Sequence, residues 1–266
     1  MSLALLRWIG CSLLVWSSVS TSWARGSVLD QIEANKTLRV CVWPDYFGIS
    51  YRDPKTRQLI GIDIDMARAL SEELKVGLEF IDSSFATLID DVTRNRCDIA
   101  MFAIGITAHR QKFLRFTKPH LASDIYAITS KSNRRIKSWD DIDTPGSVVA
   151  VAKGTLHEPV MREKLRYATL RVLDTPMARE QEVEAGRADV FMTDYPFSQR
   201  MLKTADWARL IKPTTTYHVT PYAWAMRPDD DAWFAYVEQF IDQARKKGLL
   251  RQSAIRHGLL PIALLD

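Results

Sequence analysis

Apolar and polar positions divide the chain into short apolar runs separated by amphipathic stretches. Residues 38–42 form a β-rich run, and residues 66–74 carry apolar side chains at helical spacing. Residues 78–81 predict a second strand. Phe85, Leu88, Ile89 and Val92 then share one helical face, and residues 97–106 are almost wholly apolar. An apolar run of that length suits a strand covered on both faces of a parallel sheet. Strand–helix–strand alternation implies right-handed crossovers and an α/β fold.

The pattern restarts after the polar stretch 130–138. Residues 148–152 predict a strand, Gly154-Thr155 a helix start, 170–173 a strand, 179–185 a helix and 190–193 a third strand. Two similar α/β lobes follow, with no low-complexity linker between them. Beyond Pro213 the chain is extended through 217–226 and predicts helices at 231–247 and 249–257. Those pieces have no sheet of their own and must pack on an existing lobe.

The first 24 residues read as a cleaved secretory leader. Arg7 supplies its charge, residues 8–16 its apolar segment and Ser22-Trp23-Ala24 its cleavage site. The apolar run is shorter than the ~20 residues that span a bilayer, and Trp8-Ile9-Gly10 before Cys11 is a poor lipobox. Removing 24 of 266 residues leaves 242, enough for two lobes. The formal net charge of +4 falls to +3 with Arg7. Basic pairs such as Arg134-Arg135 and Lys246-Lys247 are isolated, so no nucleic-acid partner is expected. Export leaves Cys41 and Cys97, an even pair in an oxidising compartment, which predicts a disulfide between neighbouring strands.

Candidate chemistry is sparse. The five histidines (109, 120, 157, 218, 257) have no paired metal-ligand spacing, and His109 and His120 read as surface residues beside a basic loop. No nucleophile elbow, phosphate loop or dinucleotide fingerprint occurs, so neither a metal nor a cofactor is expected. In Gly61-Ile62-Asp63-Ile64-Asp65 a glycine closes a turn and two acids sit where a helix begins. Arg110 follows the strand at 97–106, at the edge where open α/β sheets bind ligands. A guanidinium there can grip a carboxylate through two hydrogen bonds, or pair with a neighbouring acid on the surface. Asp194 ends the strand at 190–193 on the facing wall, where it can meet an ammonium or cap the helix after Pro196. Trp43, Tyr46, Phe47, Phe85, Phe102 and Tyr195 gather on the same loops, with Phe47 assigned to the core.

From about 38 to 257 the chain resembles the family 3 extracellular solute-binding proteins, which include binders of lysine/arginine/ornithine, histidine and glutamine. The resemblance rests on the order of Gly61–Asp65, Cys97-Asp98-Ile99-Ala100, Ile106–Gln111, Val151-Ala152-Lys153-Gly154-Thr155 and Ala185-Gly186-Arg187-Ala188-Asp189. It implies a type II periplasmic binding fold. Residues 25–126 and 221–266 would form lobe 1, residues 127–220 an inserted lobe 2, and the chain would cross near Tyr126 and Thr220. It further implies that Tyr46 and Phe85, beside Trp43, sandwich a ligand side chain. Arg110 would hold an α-carboxylate and Asp194 an α-ammonium, with Thr155 and Leu156 donating backbone N–H groups.

The chain departs from the family where hydroxyl residues line lobe 1, because Phe102, Ala103 and Gly105 offer only backbone there. Leu156 also replaces a hydroxyl or small residue. These changes point to an aromatic or apolar amino acid rather than a basic or polar one. The implied protein is a periplasmic monomer that closes on an amino acid or small carboxylate and docks on an inner-membrane ABC permease. Two rivals share the architecture. One is a secreted cyclohexadienyl (arogenate/prephenate) dehydratase with Glu158 as general acid, although Glu158 also suits the first turn of a helix. The other is a sensory or dehydrogenase-associated binding subunit.

Overall fold

A computed structural model describes residues 26–175 and 177–266; the leader read at 1–24 lies outside the described residues. Helix α1 (Val28–Asn35) begins in a capping box made by Ser27 and Asp30. It is followed by β1 (Thr37–Val42) and a small antiparallel sheet of β2 (Asp45–Tyr46), β3 (Ser50–Arg52) and β4 (Leu59–Ile60). Then come α2 (Ile62–Leu74), β5 (Gly77–Asp82), α3 (Leu88–Thr93), β6 (Ile99–Gly105), β7 (Arg115–Phe116) and β8 (Leu121–Ser123). The second half runs β9 (Tyr126–Ser130), β10 (Val148–Ala152), α4 (His157–Lys164), β11 (Thr169–Leu173), α5 (Ala178–Glu184), β12 (Val190–Thr193), α6 (Tyr195–Thr204) and β13 (Ala208–Ile211). The chain returns through β14 (Thr220–Met226), α7 (Asp231–Lys246) and α8 (Leu249–Arg256).

Two sheets result. The first has the order β5-β1-β6-β14-β7, with β8 also on β14; the second has the order β11-β10-β12-β9-β13. β1 is parallel to β5 and β6, and β10 is parallel to β11 and β12, while β14 and β9 run antiparallel to their neighbours. The chain crosses between lobes twice, from β8 to β9 and from β13 to β14. Asp124 ties these crossings together by accepting from Ile125 N (2.7 Å), Tyr217 N (2.9 Å) and His218 N (2.7 Å).

The acids at the start of α2 reach well beyond their own helix. Gly61 stands at φ 139°, where a Cβ would lie 2.2 Å from the Ile49 carbonyl oxygen, so only glycine fits this turn. Asp63 is fully buried and accepts from Ala103 N (2.7 Å) and the Trp224 indole (2.8 Å). His120 lies 2.8 Å from the same carboxylate and is fully buried beside Trp224, which corrects its assignment to the surface. Asp65 fastens α8 through Ser253 Oγ (2.6 Å), Arg256 Nη1 (2.8 Å) and His257 Nε2 (2.9 Å).

Cys41 and Cys97 form a disulfide with Cα atoms 5.6 Å apart, joining β1 to the segment that enters β6. The helix read at 85–92 begins only at Leu88, which leaves Phe85 on a loop. Among the described residues no helix is long and apolar enough to cross a membrane.

Candidate functional site

The site grows from the end of β6. Every residue of this strand is buried, yet Ala103 takes a left-handed φ of 47° with its N–H held by Asp63. Opposite it, the β14 ladder shifts register between Ala223 and Ala225. This irregularity turns backbone, rather than side chains, toward the cleft. At Gly105 a Cβ would stand 3.0 Å from Leu156 Cδ2 and 3.1 Å from Thr220 Cγ2, so the lobes close tightly over the strand end.

Arg110 sits in a short 3-10 turn whose Thr107 hydroxyl accepts from Arg110 N at 3.2 Å. Its buried guanidinium bonds to the Gly105 carbonyl (Nη1, 2.8 Å) and, across the cleft, to the Gly154 carbonyl (Nη2, 3.0 Å). The group lies 5.3 Å from the centre of the Phe85 ring. No carboxylate among the described residues pairs with it. Burial pulls its pKa down to about 10, with the Tyr222 and Tyr46 phenols acting the other way, so it remains cationic at neutral pH.

Trp43, Tyr46, Phe85 and Phe102 form a chain of rings with centroids 5.1–5.9 Å apart. Tyr46 and Phe85 meet edge to face at 5.9 Å, without the parallel gap that a sandwiched ring needs. Phe47 and Tyr195 stay outside this set, Phe47 packing on Tyr51 instead.

On the facing wall, Asp194 caps α6 by accepting from Phe197 N at 3.2 Å. Its other oxygen reaches the cleft and accepts from the hydroxyls of Tyr46 and Tyr222, the latter at 3.0 Å. Capping and cleft exposure therefore coincide in one carboxylate. Burial raises its pKa despite these donors. It raises the Tyr46 and Tyr222 pKa values well above the usual phenol range as well, with the Asp194 charge as the next cause. Thr155 turns into α4 with its N–H and hydroxyl both on the Ala152 carbonyl (3.3 and 2.7 Å).

One cavity between the lobes holds about 20 Å³, room for no more than one water, and a separate crevice of about 290 Å³ opens beside Arg110, Thr107 and Glu158. Arg110 and Tyr46 bond directly across the cleft, to the Gly154 carbonyl and to Asp194. Trp43, Tyr46, Phe85 and Ala103 line the smaller cavity from one side, and Thr155, Leu156, His157, Arg179, Thr193, Asp194 and Phe197 from the other. An outer crevice of about 180 Å³ continues past Ser84, Lys153, Asp174 and Arg200.

Sequence reading missed His157, Arg179, Thr193, Phe197 and Tyr222. A signal existed only for His157, which follows Gly154-Thr155 at a helix start. Its ring is buried, and among the described residues no side chain bonds either nitrogen. Burial, then the charge of Arg179, brings its pKa down to about 3, although the Thr193 backbone pulls slightly upward. Glu158 lines the crevice that also holds Arg110, its oxygens accepting from Gly154 N (3.0 Å) and Arg162 Nη2 (3.0 Å).

Residues 38–257 match the model of the bacterial extracellular solute-binding proteins, family 3. Cyclohexadienyl dehydratase of Pseudomonas aeruginosa is 32% identical over 230 residues, covering 86% of this chain and 85% of the enzyme. The L-cystine-binding protein TcyJ of Escherichia coli K12 is 24% identical over 256 residues, 93% of this chain and 92% of that protein. A crystal structure of the ancestral amino acid-binding protein AncCDT-1, a precursor of cyclohexadienyl dehydratase, superposes with a TM-score of 0.79 at 32% identity. That match covers 86% of this chain and 99% of the ancestral one.

Proposed function

The chain belongs to the bacterial extracellular solute-binding proteins, family 3, and from that membership we propose that it is the periplasmic binding component of an ABC importer for an amino acid or similar small carboxylate. The observation that carries this reading is Arg110: a buried guanidinium in the interlobe cleft, bonded to both lobes through carbonyls and matched by no carboxylate among the described residues. A buried cation without a counter-ion is unfavourable unless an anion completes it. The ligand carboxylate is that anion.

Asp194 then takes the ammonium as the Tyr46 and Tyr222 hydroxyls yield one oxygen. Trp43, Phe85 and Phe102 cover the apolar part of the ligand, Ala103 and Gly105 offer backbone, and Thr155 and Leu156 flank the carboxylate at the start of α4. Lobe 1 (25–126 with 221–266) and lobe 2 (127–220) open and close about the two crossings. The closed form, a monomer, is what an inner-membrane permease recognises. Service to transport or to a sensor would use the same closure.

Calorimetric titration of Arg110→Ala tests this, with the tightest ligand from a thermal-shift screen of amino acids and small carboxylates. Removing one partner of a buried charge pair costs about 2–5 kcal/mol, roughly 30-fold to several-thousand-fold in affinity. Binding within threefold of wild type removes Arg110 from the site.

The 32% identity to a dehydratase keeps an enzymatic reading in view. Against it stands the bonding of Glu158, which accepts at both oxygens from Gly154 N and Arg162; a general acid must instead offer a proton toward the substrate. We propose that the protein catalyses no elimination. Prephenate and arogenate incubated with the pure protein should release no aromatic product above background, and turnover lost in Glu158→Gln would reverse the assignment.

A further inference from the structure

The lobe 2 wall of the cleft carries polar groups that the clamp at Arg110 and Asp194 does not use. Arg179 enters α5 and is 5% exposed, its guanidinium resting over the rings of Phe191 (5.0 Å) and Phe197 (4.3 Å). Nε bonds to Glu180 Oε1 at 3.2 Å and Nη1 to the Met192 carbonyl at 2.9 Å. Nη2 makes no hydrogen bond to a described residue. Beside it in the interlobe space are His157, 5% exposed, and Thr193, 1% exposed.

Among the described residues no side chain bonds either His157 nitrogen, whose ring is met only by the Thr193 backbone, and the Thr193 hydroxyl has no partner. Buried polar atoms are nearly always satisfied, and a cluster of exceptions needs a reason. These exceptions converge on one wall of one cavity. The sign of the field there also matters. Burial first, then the charge of Arg179, and after it those of Arg110 and His218, depress the His157 pKa, so the net field at the ring is positive. Of the acids nearby, Asp194 accepts from the hydroxyls of Tyr46 and Tyr222 and also feels the charge of Arg179. Glu180 pairs side-on with Arg179 and lines the outer crevice rather than this space.

We propose that Arg179, flanked by His157 and Thr193, anchors a second carboxylate at the far end of the ligand, so that the cleft selects acidic amino acids or dicarboxylates over apolar ones. The proposal rests on the reading of Arg110 as the first carboxylate clamp. It replaces the aromatic or apolar preference drawn from Phe102, Ala103, Gly105 and Leu156. The Nη2 edge of Arg179 is free to donate, and the Thr193 hydroxyl can donate beside it.

The experiment compares L-glutamate, succinate, L-glutamine, L-norleucine, L-phenylalanine and L-arginine by calorimetry on the exported protein and its variants. L-Glutamate or succinate should bind at least tenfold tighter than L-norleucine. Arg179→Met keeps the alkyl stem on Phe191 and Phe197. It should weaken the acidic ligand tenfold or more and L-norleucine less than threefold. Thr193→Val removes only a hydroxyl that has no partner, so it should leave the unliganded melting temperature unchanged while weakening the acidic ligand severalfold; this keeps the test open if Arg179→Met folds poorly.

Three results overturn the second carboxylate alone: L-glutamine binding as tightly as L-glutamate, preference for L-phenylalanine or L-arginine with Arg179→Met indifferent, or equal losses for all ligands. Absence of any Arg110-dependent binding to any probe overturns the clamp reading, and this proposal with it.

Discussion

His157 opens α4 with its ring between the lobes, and burial with the nearby charge of Arg179 brings its pKa to about 3. In the unfolded chain the same ring titrates near 6.5. Below that pH the unfolded state binds a proton that the folded state refuses, so stability falls as pH drops from 6.5 toward 3 and is unaffected above. At pH 5 the loss is about 2 kcal/mol, one and a half pK steps at ~1.4 kcal/mol each. Asp194 works the other way. Its raised pKa is a cost of ionisation, present at neutral pH and relieved as pH falls through its folded value. The informative quantity is therefore the difference between wild type and His157→Gln, measured by urea unfolding at pH 7.5 and pH 5. Wild type should lose about 2 kcal/mol more than the variant over that interval. Equal losses would mean that the ring accepts a proton in the folded protein.

Elements with a long apolar run were legible before any coordinates: residues 148–152 and 190–193 coincide with β10 and β12, and residues 38–42 fall within β1. The two-residue strands β2, β4 and β7 were not, because two residues carry no period and such edges exist only through their partners. Apolar periodicity placed Phe85 on a helix, but the Ser84 and Thr87 hydroxyls hold a turn first, with Thr87 N on Ser84 Oγ at 3.2 Å. That turn aims the ring at Trp43 and Phe102. The helix start at Asp63 and Asp65 was readable, whereas their partners Trp224 and Ser253 are more than 160 residues away. The candidate site divides in the same way. Arg110 follows a strand at a telling position. Arg179 lies in the charged run Arg179-Glu180-Gln181-Glu182, which reads as a solvated helix face. Only packing on Phe191 and Phe197 turns it inward.

Two backbones meet closely where the two halves of the molecule face each other. Gly154 ends the β10 turn at φ 75°, and a Cβ there would lie 2.7 Å from Ala86 Cα and 2.8 Å from Ala86 N. Gly154 belongs to the lobe 2 sheet side and Ala86 to the loop before α3, so the crowding is between lobes. The same residue accepts from Arg110 across the cleft, while the hydroxyls of Tyr46 and Tyr222 reach Asp194 from lobe 1. Gly154→Ala separates closure from folding. Within lobe 2 it adds the strain of a left-handed alanine, about 1–2 kcal/mol. Between the lobes it sets a methyl against main chain, which has no rotamer with which to give way. The variant should keep its fold, with a melting temperature only a few degrees lower, yet bind ligand at least tenfold more weakly. Small-angle scattering at saturating ligand should retain the larger radius of gyration of the open form, where wild type contracts. Wild-type affinity together with normal contraction would show that the lobes meet elsewhere and that Gly154 serves only its own turn.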